Sequence, residues 1–179
     1  LYLAAALQRM PQEDRWKILE GLVTFAEDSK DPNIPFMLWF GLEPNVIQDP
    51  EKALALASIS KIPIITQKIA RRLVDGEQLK TLVEGIAIHK TSQKNLLHGM
   101  LAGLENGSDI KQPDNWADLY KSISHKNQLG VIAEQIAERF GNIEIFKKQL
   151  ATVKNPIAKT EDKQRALKNL SASQREELI

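Results

Sequence analysis

The residues able to do chemistry are few, and their spacing does not favour it. His89, His98 and His125 are the three histidines, and no two stand four apart. A helical zinc site needs two ligands one turn apart with a third close by, so metal chemistry is not expected. His98 is expected on the Leu97, Met100 and Leu101 side of its helix, partly buried. Carboxylates pair at Glu13/Asp14, Glu27/Asp28 and Glu176/Glu177. Neighbours on a helix point about 100° apart and do not share a site, so these read as N-terminal caps or surface charge. Serine and threonine fall in no defensible arrangement with His and Asp, and no glycine-rich phosphate cradle follows a strand. No catalytic residue, cofactor ligand or metal ligand is assigned.

Three groups hold more promise. Glu43 lies within the apolar run Trp39-Phe40-Gly41-Leu42-Glu43-Pro44, where a carboxylate should be ion-paired, cap a neighbouring helix or titrate abnormally. Arg71 and Arg72 are its candidate partners, and catalysis is the minor alternative. Trp16, Trp39 and Trp116 could line a groove, but at helical spacing they fit a core better, and Trp16, Trp39, Phe40 and Glu43 are assigned to it. Lys61, Lys68, Arg71 and Arg72 could form a basic ridge, the candidate interaction surface.

The elements that must position these groups are helices from end to end. Leu1, Leu3, Ala4, Leu7 and Met10 follow helical spacing until Pro11. The next helix has Glu13 and Asp14 in its first turn and Trp16, Leu19, Val23 and Ala26 on one face. After Asp31-Pro32, Ile34 to Ile47 reads as a helix apolar on nearly all sides, the mark of a buried inner layer. Pro44 is expected to kink or end it. Asp49 can cap the following helix with Pro50 at its first position, where a missing N–H costs little. Pro63 opens another, with Ile65, Ile69, Ala70 and Leu73 as its buried stripe. Further helices are read at Gln78 to Ile88, Ser92 to Leu104, Asp114 to Ser124, Gln128 to Phe140, Ile143 to Thr152, Glu161 to Leu170 and Ser173 to Leu178. Gly76, Asn106-Gly107, Gly141 and Asn155-Pro156 punctuate them.

About a dozen such helices in 179 residues fit a single all-α domain spanning 1–179, a right-handed α-α superhelix of stacked pairs of the HEAT or armadillo kind. The repeat is irregular. A closed bundle is the alternative, since Gly107 to Pro113 is long enough for a change of direction. The chain begins inside an apolar run without an initiator Met and is read as a piece of a larger protein, so a missing leader carries no information.

Composition excludes several classes. No apolar run approaches the length of a membrane span. With no cysteine, disulfides, Cys-ligated zinc and covalent haem attachment are excluded for this segment. The net charge of +1 conceals a gradient from acidic at the N-terminal end to basic at the C-terminal end. A basic C-terminal half could bind nucleic acid, although few aromatics interleave there.

From Gln8 to Leu73 the sequence resembles a segment of large multidomain proteins of planctomycetes, verrucomicrobia and some bacteroidetes. The resemblance rests on the Pro11-to-Trp16 helix start, Glu27-Asp28, Asp31-Pro32-Asn33, Trp39 to Pro44, Asp49-Pro50, and Lys61-Ile62-Pro63 running to Arg71-Arg72-Leu73. It is looser afterwards, through Phe140-Gly141, Asn155-Pro156 and Arg165-Ala166-Leu167. In that family a dehydrogenase-like β-propeller is followed by HEAT-like repeats and a cytochrome c domain with a CxxCH motif. The resemblance implies a non-catalytic spacer, docked on neighbouring domains of an exported or periplasmic protein, with haem c bound elsewhere in the parent. Phe40 stands where many relatives carry Tyr. The alternative expectation is a nucleic-acid-binding helical-repeat module.

Overall fold

In the computed structural model, residues 1–105, 110–123, 127–141 and 143–172 are described. His125, Gly107 and the helix expected at Ser173 to Leu178 lie outside them. All regular structure among the described residues is helical: eleven α-helices and two 3-10 turns, with no strand. The helices fall into two compact units, Leu1–Ser124 and His125–Ile179.

The first unit contains α1 (Tyr2–Ala6), α2 (Gln12–Leu22), α3 (Ile34–Gln48), α4 (Pro50–Ile59), α5 (Pro63–Asp75), α6 (Leu79–Ile88), α7 (Gln93–Leu104) and α8 (Trp116–Ser122). The chain breaks where its chemistry requires. Proline opens α4 and α5 at their first positions, where its fixed φ suits a helix and no N–H is missed. Asp49 accepts from the Lys52 N–H at 3.1 Å and so caps α4. Asp31, two residues ahead of the α3 cap position, accepts from the N–H groups of Asn33 and Ile34, both at 2.8 Å. These two bonds hold its carboxyl below the usual Asp range.

Two expectations are corrected. α2 ends at Leu22, a turn earlier than its apolar stripe suggests. Thr24 turns its hydroxyl back onto the Gly21 carbonyl at 2.7 Å, and Phe25 is left exposed. α3 also continues past Pro44 to Gln48, so the proline does not end it. Proline at this position removes one backbone hydrogen bond. Close by, the buried Arg15 guanidinium donates to the Gly41 carbonyl at 3.0 Å and to Met10 O at 3.0 and 2.8 Å. It thereby buckles the end of the first 3-10 turn, Leu7–Arg9, onto α3.

From α2 to α7 each helix packs on its neighbour in sequence, and from α1 to α8 each also packs on the next but one. α1, α3, α5 and α7 touch in that order, and α2, α4, α6 and α8 do likewise. Within the first row, Gly99 of α7 lies against Gln67 and Ala70 of α5, and Gly103 against Val74. Both numbers rise together, so α5 and α7 run parallel. A Cβ at Gly99 would overlap the Gln67 backbone carbonyl, and one at Gly103 would come within 2.7 Å of Val74 Cβ. Only glycine permits this approach. In the second row, Gly85 of α6 receives the Leu54 side chain of α4 in the same manner. The core between the rows is aliphatic, with Leu38, Leu42, Leu56, Ile65, Ile69, Leu73, Leu82 and Ile86 sealed from solvent.

The second unit contains α9 (Gln128–Arg139), α10 (Ile143–Lys154) and α11 (Thr160–Ala172), with α10 packed on both α9 and α11. Asn127 caps α9, accepting from the N–H groups of Leu129 and Gly130 at 3.0 and 3.2 Å. No helix among the described residues is long and apolar enough to cross a membrane.

Candidate interaction surface

α5 buries Ile65, Ile69, Ala70 and Leu73 and turns Ile64, Gln67, Lys68, Arg71 and Arg72 outward. α3 presents Phe36, Phe40 and Glu43 at helical spacing on its own outer stripe. The stripes meet along the α3–α5 contact. Lys68 Nζ sits 5.4 Å from the Trp39 ring centroid and 5.7 Å from that of Phe36, within reach of both ring quadrupoles. One turn further along both helices, Arg72 Nε lies 3.8 Å from Glu43 Oε1. Trp39 to Glu43 and Lys68 to Arg72 advance together, so α3 and α5 run parallel as α5 and α7 do.

Of the residues assigned to the interaction surface, Lys68 and Arg72 are thus brought together. Arg71 is exposed on the same outer stripe. Lys61 is exposed in the turn before α5, where its backbone N–H donates to Val23 O at 2.8 Å. Its place is fixed through the backbone, apart from the Lys68–Arg72 pair. Of the residues assigned to the core, Trp16 and Trp39 are each only 7% exposed. Phe40 is not a core residue: it is 53% exposed. It shares its stripe with Phe36, itself 43% exposed, on the side of α3 turned away from the aliphatic core. Glu43 is not a core residue either, although its expected pairing with Arg72 is present. Its side chain is partly solvated and lies at ion-pair distance from Arg72, which accounts for a carboxylate inside so apolar a helix.

His98 is likewise more exposed than expected. Partial desolvation lowers its pKa, and the ammonium of Lys94 one turn earlier adds to the shift. Among the described residues, no three His, Asp or Glu side chains gather as metal ligands would. In the second unit, Glu138 is the one shifted carboxylate among the described residues. Burial and then the like charge of Glu134 push it up to about 7, and Arg139 opposes them. Its Oε1 has no hydrogen-bond partner.

A second feature was not legible as a site. On the other side of α3, Gln12, Glu13 and Trp16 of α2, Asn45 and Gln48 of α3, Asp49, and Lys52 of α4 enclose a polar cleft of about 360 Å³. Asn45 is 2% exposed, and its Nδ2 donates to Gln12 O at 2.7 Å. Its Oδ1 accepts nothing. Lys52 Nζ lies over the Trp16 ring, 5.1 Å from its centroid. The one sequence signal was Asn45 itself, an amide standing where the α3 pattern calls for an apolar residue.

Compared with family models, curated proteins and solved structures, the chain matches none of them.

Proposed function

We propose that this chain is a non-catalytic helical-repeat scaffold, a HEAT- or armadillo-like right-handed superhelix of stacked pairs, serving as spacer and docking surface between domains of a larger protein. The observation that carries this reading is the packing order of the first unit, where each helix meets the next but one, α3 with α5 and α5 with α7 in parallel. That order builds a row by translation, as repeat stacks do. The exposed stripe of Phe36, Phe40, Lys68 and Arg72 supports docking, because aromatic and cationic side chains are the ones enriched where proteins bind one another. Following the sequence resemblance, the parent is an exported, haem-linked dehydrogenase-like protein in which this segment holds a propeller and a haem domain apart.

The test is functional silence of the segment together with cooperative folding. The 179-residue chain should unfold in one concerted transition per unit, acquire no haem absorbance on reconstitution, and pass no electrons from sugar-like alcohols to a dye acceptor. Turnover or a bound haem spectrum would overturn the proposal.

A further inference from the structure

The charges on the α3–α5 margin differ in sign from those of the unit that carries it. Over residues 1–124 the sequence holds 14 Lys and Arg against 16 Asp and Glu, so the first unit is acidic as a whole. On the margin, Lys68, Arg71 and Arg72 stand close together on α5, and the Glu43 carboxylate of α3 lies at ion-pair distance from Arg72. Lys68 meets the ring faces of Phe36 and Trp39. Among the described residues, Lys68 has no carboxylate partner, and neither Arg71 nor Asp75, one turn beyond it, is ion-paired. Two positive charges thus remain unanswered beside the exposed rings of Phe36 and Phe40. Because α3 and α5 run parallel, Phe40 follows Phe36 as Arg71 follows Lys68, and the rings and cations form two adjacent tracks.

A second copy of the chain fits this margin poorly, since a two-fold contact sets the same patch against itself and brings the unanswered cations together. A lipid surface or a nucleic acid spreads negative charge over a broad area and meets the acidic remainder of the unit as well. A short acidic segment covers the patch alone. We propose that the α3–α5 margin docks an acidic peptide segment with an apolar anchor, the anchor resting on Phe36 and Phe40 and its Asp or Glu carboxylates pairing with Arg71 and Lys68. This rests on the scaffold reading and names the chemistry of its partner. The guanidinium of Arg71 supplies the planar fork that a carboxylate matches. The helix spacing sets the pattern: contacting axes lie about 8–10 Å apart and an extended chain advances about 3.3 Å per residue. Anchor and carboxylate therefore stand about two to four residues apart.

The test is selection of a random-sequence peptide library on the full 179-residue chain. Enriched peptides should carry an apolar residue with Asp or Glu about two to four residues away, and a synthetic copy of the leading one should bind with a Kd of about 1–100 µM. Arg71→Ala and Phe40→Ala change exposed side chains and, with melting temperature unchanged, should each weaken that binding about tenfold. The charge-reversed Lys68→Glu, Arg71→Glu chain should select Lys- and Arg-rich peptides instead, which a merely sticky patch would not do. The proposal is overturned if no peptide is enriched, if the enriched ones lack acidic residues, or if the folded alanine variants bind undiminished. Sedimentation of the free chain as a dimer that Phe40→Ala dissolves, or its flotation with phosphatidylserine vesicles, would put another occupant on the margin and overturn it too. Any of these results in a chain without turnover or haem spectrum removes this inference alone, whereas turnover or bound haem removes the scaffold reading.

Discussion

Two neighbouring joints of the same helical row are built in opposite ways. α5 and α7 meet backbone to backbone, because Gly99 and Gly103 remove the side chains that would hold them apart. α3 and α5 meet at their exposed margin through long side chains, Lys68 reaching over Phe36 and Trp39, and Arg72 towards Glu43. The first joint has no room to adjust. The second carries groups that can swing to a partner at little cost, since exposed cation–π contacts and partly solvated ion pairs are each worth about 1 kcal/mol or less. A rigid interior joint beside an adaptable outer one would suit the scaffold role proposed above, which requires both a fixed spacing and a surface that can be gripped.

The largest effect should come from the ring buried beneath the adaptable joint. Trp39→Ala is expected to destabilise by about 3–5 kcal/mol, seen as an earlier denaturant midpoint, because it removes a core indole and the surface under Lys68 together. A loss below about 1 kcal/mol would show that the indole contributes little to the joint.

The rigid joint is broken by a single methyl group. Gly99→Ala should cost about 2–3 kcal/mol in urea unfolding, even though Ala gains about 1 kcal/mol in helix propensity, because the clash is with backbone. Gly21 is the control: a Cβ there meets nothing within 4 Å. Gly21→Ala should therefore stabilise, by up to about 1 kcal/mol. Equal effects at the two glycines would mean that α5 and α7 are not in close contact.

Glu138 sharpens the comparison from the second unit, as a charge whose nearest acidic neighbour opposes it. Its folded pKa of about 7 stands above the ordinary 4.5, so the folded state holds the proton more tightly than the unfolded one. Stability therefore falls as pH rises from about 4.5 to about 7, and the whole cost is present above that. Glu138→Gln should relieve about 1–2 kcal/mol at pH 8, after discounting for partial exposure, and nothing at pH 4. A gain that does not depend on pH would rule out this cause.

The smallest effect belongs to the adaptable joint itself. Lys68→Ala should cost only about 0.5–1 kcal/mol in thermal unfolding. A larger loss would make Lys68 a structural rivet and would argue against its availability to a partner.

Helix positions and caps were legible because proline, Asp49 and the apolar spacing act locally. Pro50 and Pro63 open α4 and α5, and the buried stripe of α5 follows from its sequence period alone. The position of Phe40 was not legible. α3 is apolar around most of its circumference, so no polar stripe marks its outer side, and only its neighbours decide which rings are covered. Pro44 misled for a related reason: a helix packed on several sides tolerates one missing hydrogen bond. Gly99 and Gly103 did carry a signal, two glycines four apart on one face of a helix, which favours close helix approach. Gly21 shows why glycine alone is insufficient, since it sits in a helix beside open space. The cleft was the least legible feature, because Gln12, Asn45 and Lys52 converge only after α2, α3 and α4 have packed.

The central claim is that helices of the first unit stack in a row rather than close into a bundle. The chain has no cysteine, so a Phe40→Cys, His98→Cys variant places spin labels at two exposed positions on α3 and α7 and nowhere else. With α5 between them and each interface about 8–10 Å across, pulsed electron paramagnetic resonance should give one distance distribution centred near 20 Å or slightly beyond. A distribution centred near 10 Å would place α3 beside α7, as in a closed bundle, and would contradict the account.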